Sequence, residues 1–214
     1  MAGPHQGQPV IECGLPPEQA QAAVVLLHGR GADAEDILAL VPDIAMPGFV
    51  YAAPQAAGNS WYPDRFTAPL ARNEPWLSSA LTLVGETLAR LAAAGIPAER
   101  TALLGFSQGA CLALEYVARN ARRYGGVIAF TGGLIGPDDA PREYAGALAG
   151  TPVFIGSSDA DLHVPLARVR HAAQTMTALG GSVTERIYPG MAHTVSDSEL
   201  AFARGMLVAL AGQP

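Results

Sequence analysis

The sequence predicts a single-domain α/β protein, residues 1–214, built on a mostly parallel sheet with helices on both faces. Short aliphatic runs without alternation, such as AAVVLL at Ala22–Leu27, are typical of strands that are covered on both faces. Segments with helical apolar spacing alternate with these runs, and turns containing Gly or Pro join them. A chain of 214 residues is long enough for one well-buried core and short for two typical domains.

The predicted elements follow in order along the chain. After the first strand, Asp33 is placed to cap a helix that ends near residue 41. Residues 55–73 lack periodicity, and a loop of this length is uncommon unless it serves a function. The remaining elements are strands at residues 49–54, 101–106, 125–133, 151–158 and 183–190, and helices at residues 74–94, 107–120, 165–179 and 197–210.

Composition excludes several classes of partner. Thirteen basic against nineteen acidic residues give a net charge of -6, so neither nucleic acid nor an anionic membrane surface is expected as a partner. The N-terminal MAGPHQGQPV lacks the pattern of a signal peptide, and no apolar run approaches the ~20 residues that span a bilayer. The two cysteines, Cys13 and Cys111, form no metal-binding or disulfide pattern. We therefore expect a cytoplasmic protein without metal or cofactor, and we keep a homodimer as an alternative to a monomer.

The segment GFSQG, Gly105 to Gly109, matches the G-x-S-x-G nucleophile elbow. A strand precedes it and a helix follows it, as such an elbow requires. A serine on so tight a turn has a strained backbone, and side chains at the flanking positions would collide with it. The motif alone is weak evidence for catalysis, because Gly and Ser are common in turns. Between a predicted strand and a predicted helix, however, it predicts that Ser107 is a nucleophile.

A nucleophilic serine needs a base and an acid, which in this architecture follow it along the chain. Of the three later histidines, His171 lies on the polar face of a predicted helix, and His163 is either a loop residue or a residue at the rim of a pocket. His193 stands after the last strand and before the last helix, so we predict it as the base. The loop after strand 151–158 offers Asp159 or Asp161 as the acid.

Backbone amides are the expected donors to the developing oxyanion. We predict the amide of Gln108, which follows the nucleophile, and the amide of Arg30 in the turn HGRG; the alternative is that HGRG is only a Gly-rich turn. Trp61 and Tyr62 in the long loop are predicted to form a wall of the substrate pocket. The alternative is that both rings cover the core beneath that loop.

With these residues in place, the chain resembles the phospholipase/carboxylesterase family of α/β-hydrolases, which includes acyl-protein thioesterases. The resemblance covers nearly the whole chain and rests on LLHGRGAD, APQAAGNSWYP, GFSQGA, DADLHVP and YPGMAHTV in this order. It implies the α/β-hydrolase fold with little or no cap domain. Its D-x-x-V-P arrangement implies Asp161 as the acid, beside Ser107 and His193. The chain departs from the family at Ser157-Ser158, where His-Gly is common, and at Arg30, where many members carry an apolar residue.

These observations predict a serine carboxylesterase that hydrolyses short to medium acyl esters through an acyl-serine intermediate. A small-molecule ester or thioester is the expected partner. The alternatives are an acyl thioesterase or lysophospholipase, a hydrolase of carbon–carbon bonds, and a ligand-binding protein that keeps the fold without turnover.

Overall fold

The computed structural model describes residues 3–138 and 143–212. Within these residues seven strands form one sheet in the order β1-β3-β2-β4-β5-β6-β7. The strands are β1 (Val10–Gly14), β2 (Ala22–Leu27), β3 (Phe49–Pro54), β4 (Thr101–Phe106), β5 (Gly126–Phe130), β6 (Pro152–Ser158) and β7 (Ser182–Tyr188). Only β1 pairs antiparallel, with β3, and the other neighbouring strands pair parallel. The predicted mostly parallel α/β sheet is confirmed.

Helices cover both faces of the sheet, as predicted, and each face has its own apolar core. The helices are α1 (Ala34–Leu38), α2 (Val41–Ile44), α3 (Trp76–Ala93), α4 (Gln108–Arg119), α5 (Leu166–Ala178) and α6 (Asp197–Ala211). Helices α3, α4 and α5 pack on one face. Helices α1, α2 and α6 pack on the other. The central strands β2, β3 and β5 are buried along their whole length, which explains their uninterrupted apolar sequence.

Two details differ from the sequence prediction. The edge strand β1 was not predicted; its mixed sequence, VIECG, is largely exposed and is ordered by its pairing with β3. The single helix predicted from Asp33 to residue 41 is two short helices. Asp33 does cap α1, in a reciprocal capping box with Asp36. Pro42 then requires a new helix, because its ring would collide with the carbonyl of residue 38 in a continuous one.

Parallel strands bring the loops that carry the predicted site to one edge of the sheet. The turn containing Arg30 follows β2, and Ser107 follows β4. Asp161 follows β6, and His193 follows β7. All four loops therefore lie at the carboxyl ends of parallel strands, where binding sites of open α/β sheets are formed. In the described part of the chain no helix is both long and apolar enough to cross a membrane.

Candidate active site

Ser107 stands on a strained turn between β4 and α4. Its backbone has φ 54° and ψ -115°, a conformation that non-glycine residues rarely adopt. Its N–H donates to the Phe130 carbonyl at 2.9 Å, which fixes the turn to the neighbouring strand. A side chain at position 105 would collide with the backbone of Gly109, and one at position 109 with the carbonyl of Leu27. The two glycines of GFSQG are thus required by close backbone approach.

Three side chains form a continuous relay at this turn. The His193 Nε2 atom lies 2.8 Å from the Ser107 hydroxyl oxygen, and His193 Nδ1 lies 2.6 Å from Asp161 Oδ2. The other carboxylate oxygen of Asp161 accepts from the amides of His163 and Val164, at 2.7 and 2.8 Å. Burial by itself would raise the pKa of Asp161. The hydrogen bonds from His193 and the two amides outweigh it, and the pKa is lowered.

The other acidic and histidine candidates lie outside this relay, either next to it or away from the site. Asp159 Oδ1 accepts from the Gly190 amide at 2.8 Å and so ties the loop that carries Asp161 to the loop that carries His193. His163 packs its ring 4.5 Å from the His193 ring, between centroids. His171 is exposed on α5 and lines neither of the two cavities described below.

Ser157 and Ser158 stand where the family commonly has His-Gly. Ser158 Oγ accepts from the Ala160 amide at 3.1 Å, which supports the loop that carries Asp161. The buried Ser157 hydroxyl has no hydrogen-bond partner among the described residues.

The two predicted oxyanion amides border the cavity that contains Ser107. Arg30 and Gln108 both line it, and within the described residues neither backbone N–H donates to a protein acceptor. Gln108 is the first residue of α4, where the helix leaves its N–H groups unpaired. The Arg30 side chain turns away to the long loop, where its guanidinium donates to the carbonyls of Pro63 and Asp64 at 2.8 and 2.5 Å.

The side chain of Gln108 has a role that the sequence analysis missed. Its amide oxygen accepts from the Trp61 backbone N–H at 3.0 Å, and its amide nitrogen donates to the Tyr62 carbonyl at 2.8 Å. It therefore clamps the long loop to the elbow. No sequence signal marks this role, because the two partners lie more than 40 residues away in a loop without periodicity.

The structure places Trp61 in the core rather than in the pocket wall. Its side chain is 0% exposed, its indole N–H donates to the His28 carbonyl at 2.8 Å, and it does not line the cavity. Trp61 is therefore not part of the pocket wall, because its indole packs in the core beneath the loop. Tyr62 is also buried, at 1% exposure, but one side of it does line the cavity.

Two buried histidines support the same loop from below. His5 Nδ1 accepts from the Ala57 amide at 3.0 Å, and its Nε2 donates to the Trp61 carbonyl at 2.9 Å. His28 Nε2 accepts from the Ala56 amide at 3.1 Å. Burial lowers the pKa of both rings, because removal from water disfavours the charged imidazolium. Hydrogen bonds to the backbone of Trp61 and Gly29 oppose this shift without cancelling it.

The cavity at Ser107 has a volume of about 600 Å³. Its buried walls are Tyr62, Phe66, Cys111 and Val164, and its rim carries Leu162, which is 96% exposed. Burial raises the pKa of Cys111 to about 11, which favours the protonated thiol at neutral pH. Among residues 3–138 and 143–212, no group of three or more His, Cys, Asp or Glu side chains is arranged to hold a metal ion.

A family model described as phospholipase/carboxylesterase matches residues 6–210. The chain belongs to the phospholipase/carboxylesterase family. It is similar to a phospholipase/carboxylesterase of Dyadobacter fermentans, with 46% identity and a TM-score of 0.92 over 97% of this chain and 100% of that one. It is also similar to the esterase PE8, with 30% identity and a TM-score of 0.76 over 95% and 98% of the two chains.

Among curated proteins, a member named acyl-protein thioesterase 1 from Debaryomyces hansenii is 34% identical over 113 residues, which are 52% of this chain and 49% of that protein. The match thus spans about half the length of that protein. Other relatives are named carboxylesterase or esterase. The enzyme class that these comparisons support is a carboxylic ester hydrolase, and the similar structures confirm the α/β-hydrolase fold.

Proposed function

We propose that the protein is a serine carboxylesterase that works through an acyl-Ser107 intermediate. Ser107 Oγ attacks the ester carbonyl carbon while His193 Nε2 takes the hydroxyl proton. The amides of Arg30 and Gln108 stabilise the oxyanion. The bond between the former carbonyl carbon and the alcohol oxygen then breaks, and the leaving alcohol takes the proton from His193. Water, deprotonated by His193, attacks the acyl-enzyme and releases the carboxylic acid, and the proton returns to Ser107.

One observation carries this proposal: the relay Asp161–His193–Ser107 has hydrogen-bond distances of 2.6 and 2.8 Å, and Ser107 lines the same cavity as Arg30 and Gln108. Asp161 holds the proton of His193 on Nδ1, so Nε2 is free to accept from the serine. The negative charge of Asp161 also favours the imidazolium that forms during attack. A protein that only binds ligands has no need of this arrangement at a strained turn.

The acyl group is proposed to lie in the cavity of about 600 Å³ at Ser107, against the buried side chains of Tyr62, Phe66 and Cys111. Short to medium acyl groups stay the predicted substrates. A thioesterase activity is the second candidate, since thioesters use the same triad and several relatives are named acyl-protein thioesterases. The cytoplasmic location and the single domain stay predictions. A homodimer stays an alternative to a monomer.

Labelling with a fluorophosphonate probe and turnover of p-nitrophenyl acetate test the proposal. We expect the wild-type protein to be labelled and to release p-nitrophenol, and Ser107→Ala to do neither. Ser182→Ala is the matched control, because Ser182 is an exposed serine at the start of β7. A wild-type protein that is not labelled and turns over no more ester than Ser107→Ala would contradict the proposal and favour a binding protein.

A further inference from the structure

A second cavity of about 340 Å³ adjoins the one at Ser107. The two cavities share four wall residues: Gly29, Ala32, Phe106 and His193. Ser107 and the predicted oxyanion residues line only the first cavity. The proposed base therefore lies on the boundary between a cavity that holds the nucleophile and one that does not.

The walls that belong to the second cavity alone are contributed by the turn after β2, by the segment of α1 and α2, and by the loop after β7. They are His28, Asp36, Ile37, Leu40, Thr194 and Val195. The His28 ring already uses both nitrogens, and Asp36 accepts from the Asp33 amide at 3.0 Å in the α1 capping box. Ile37, Leu40 and Val195, together with Phe106, leave an apolar surface. This cavity is suited to an apolar group.

The chemistry of ester cleavage decides which part of the substrate reaches this cavity. The carbonyl carbon must lie beside Ser107. We place the acyl chain in the first cavity, because Ser107 and the predicted oxyanion residues line that cavity and not the second. The leaving oxygen must lie within hydrogen-bond reach of His193 Nε2, because it takes its proton there. His163 and Phe106 pack near the His193 ring, with centroids 4.5 and 5.0 Å away. Of these two neighbours, only Phe106 also lines the second cavity.

We propose that the second cavity is the leaving-group subsite and that it takes the apolar alkyl or aryl part of the ester's alcohol. This inference rests on the function proposed above. The alcohol oxygen stays beside His193, and its carbon chain passes over Phe106 into the space beside Leu40 and Val195. When the carbonyl carbon–oxygen single bond breaks, the alcohol takes the proton from His193 and departs from this cavity. The acyl group remains on Ser107.

The test is a series of acetate esters with alcohols from methyl to hexyl. For the wild-type protein we expect kcat/KM to rise about two- to fourfold per methylene, the effect of burying a CH₂ group partly or fully. Leu40→Gln is expected to flatten this rise. Leu38→Gln is the matched control: Leu38 is a partly buried leucine of the same segment, packs on the same core and does not line the cavity. It is expected to keep the wild-type rise.

A second series, methyl esters of acids from acetate to octanoate, separates the two cavities. Leu40→Gln is expected to leave the acyl-length dependence as in the wild type. Two results would overturn the proposal: an unchanged alcohol-length dependence in Leu40→Gln, or a change in the acyl-length dependence instead. If Leu40→Gln does not fold, Val195→Thr, which nearly keeps the side-chain volume, replaces it with the same expectations. Absence of fluorophosphonate labelling at Ser107 would refute the proposed function itself and this subsite with it.

Discussion

Asp161→Asn replaces one carboxylate oxygen with an amide nitrogen at a buried site. Oδ1 of Asp161 accepts from the amides of His163 and Val164 at 2.7 and 2.8 Å, so the asparagine oxygen must keep this place. The asparagine NH₂ then faces His193 Nδ1, where the carboxylate now lies at 2.6 Å. Because NH₂ is a donor, Nδ1 must become the acceptor. The imidazole proton moves to Nε2, which can no longer take the proton of Ser107.

We expect kcat to fall about ten-thousandfold, as expected when the base of such a triad is held in the wrong tautomer. This loss equals about 5 kcal/mol of transition-state stabilisation. The measurement is the rate of p-nitrophenol release from p-nitrophenyl acetate, with thermal unfolding to show that the variant is folded.

Asp159→Asn is the control from the same loop. Asp159 accepts only one hydrogen bond in the described structure, from the Gly190 amide, and the asparagine oxygen preserves it. We expect a loss within about fivefold, the effect of making one charged hydrogen bond neutral. Equal losses in the two variants, or a larger loss in Asp159→Asn, would refute the assignment of Asp161 as the acid.

Three further predictions concern the surroundings of the site. Gln108→Leu leaves a buried amide and a buried carbonyl of the long loop unpaired, and we expect the free energy of unfolding, measured with urea, to fall by about 2–5 kcal/mol. The pKa values of His5 and His28 are lowered from 6.5 in the folded protein. As the pH falls, these two histidines therefore bind protons in the unfolded chain at a higher pH than in the folded protein. Unfolding free energy, measured by urea titration at several pH values, should therefore fall as the pH drops below 6.5, and less so in His5→Asn. Iodoacetamide at pH 8 should modify the exposed Cys13 and spare the buried Cys111, as peptide mass spectrometry would show.

The order of the elements could be predicted from the sequence because their signals are local. An uninterrupted apolar run predicts a strand covered on both faces, as in Ala22–Leu27, and the strand–GFSQG–helix pattern predicts the elbow. The edge strand β1 could not be predicted, because its mixed sequence is ordered by pairing with β3. The break between α1 and α2 was missed although Pro42 marks it.

Within the site, position along the chain was enough to choose Ser107 and His193, since parallel strands bring the ends of successive strands to one edge. The sequence by itself did not separate Asp159 from Asp161; the family resemblance favoured Asp161, and the distances to His193 and Gly190 now give each carboxylate a different partner.

The sequence by itself determined the fold class and predicted the nucleophile, because strand burial, helical spacing and the two glycines are properties of neighbouring residues. Tertiary structure alone decided the burial of Trp61, the clamp formed by Gln108 and the cavity beside His193. Each of these depends on side chains that are distant in sequence and meet only when the long loop packs on the sheet. Long-range contacts of this kind leave no periodic signal in the chain.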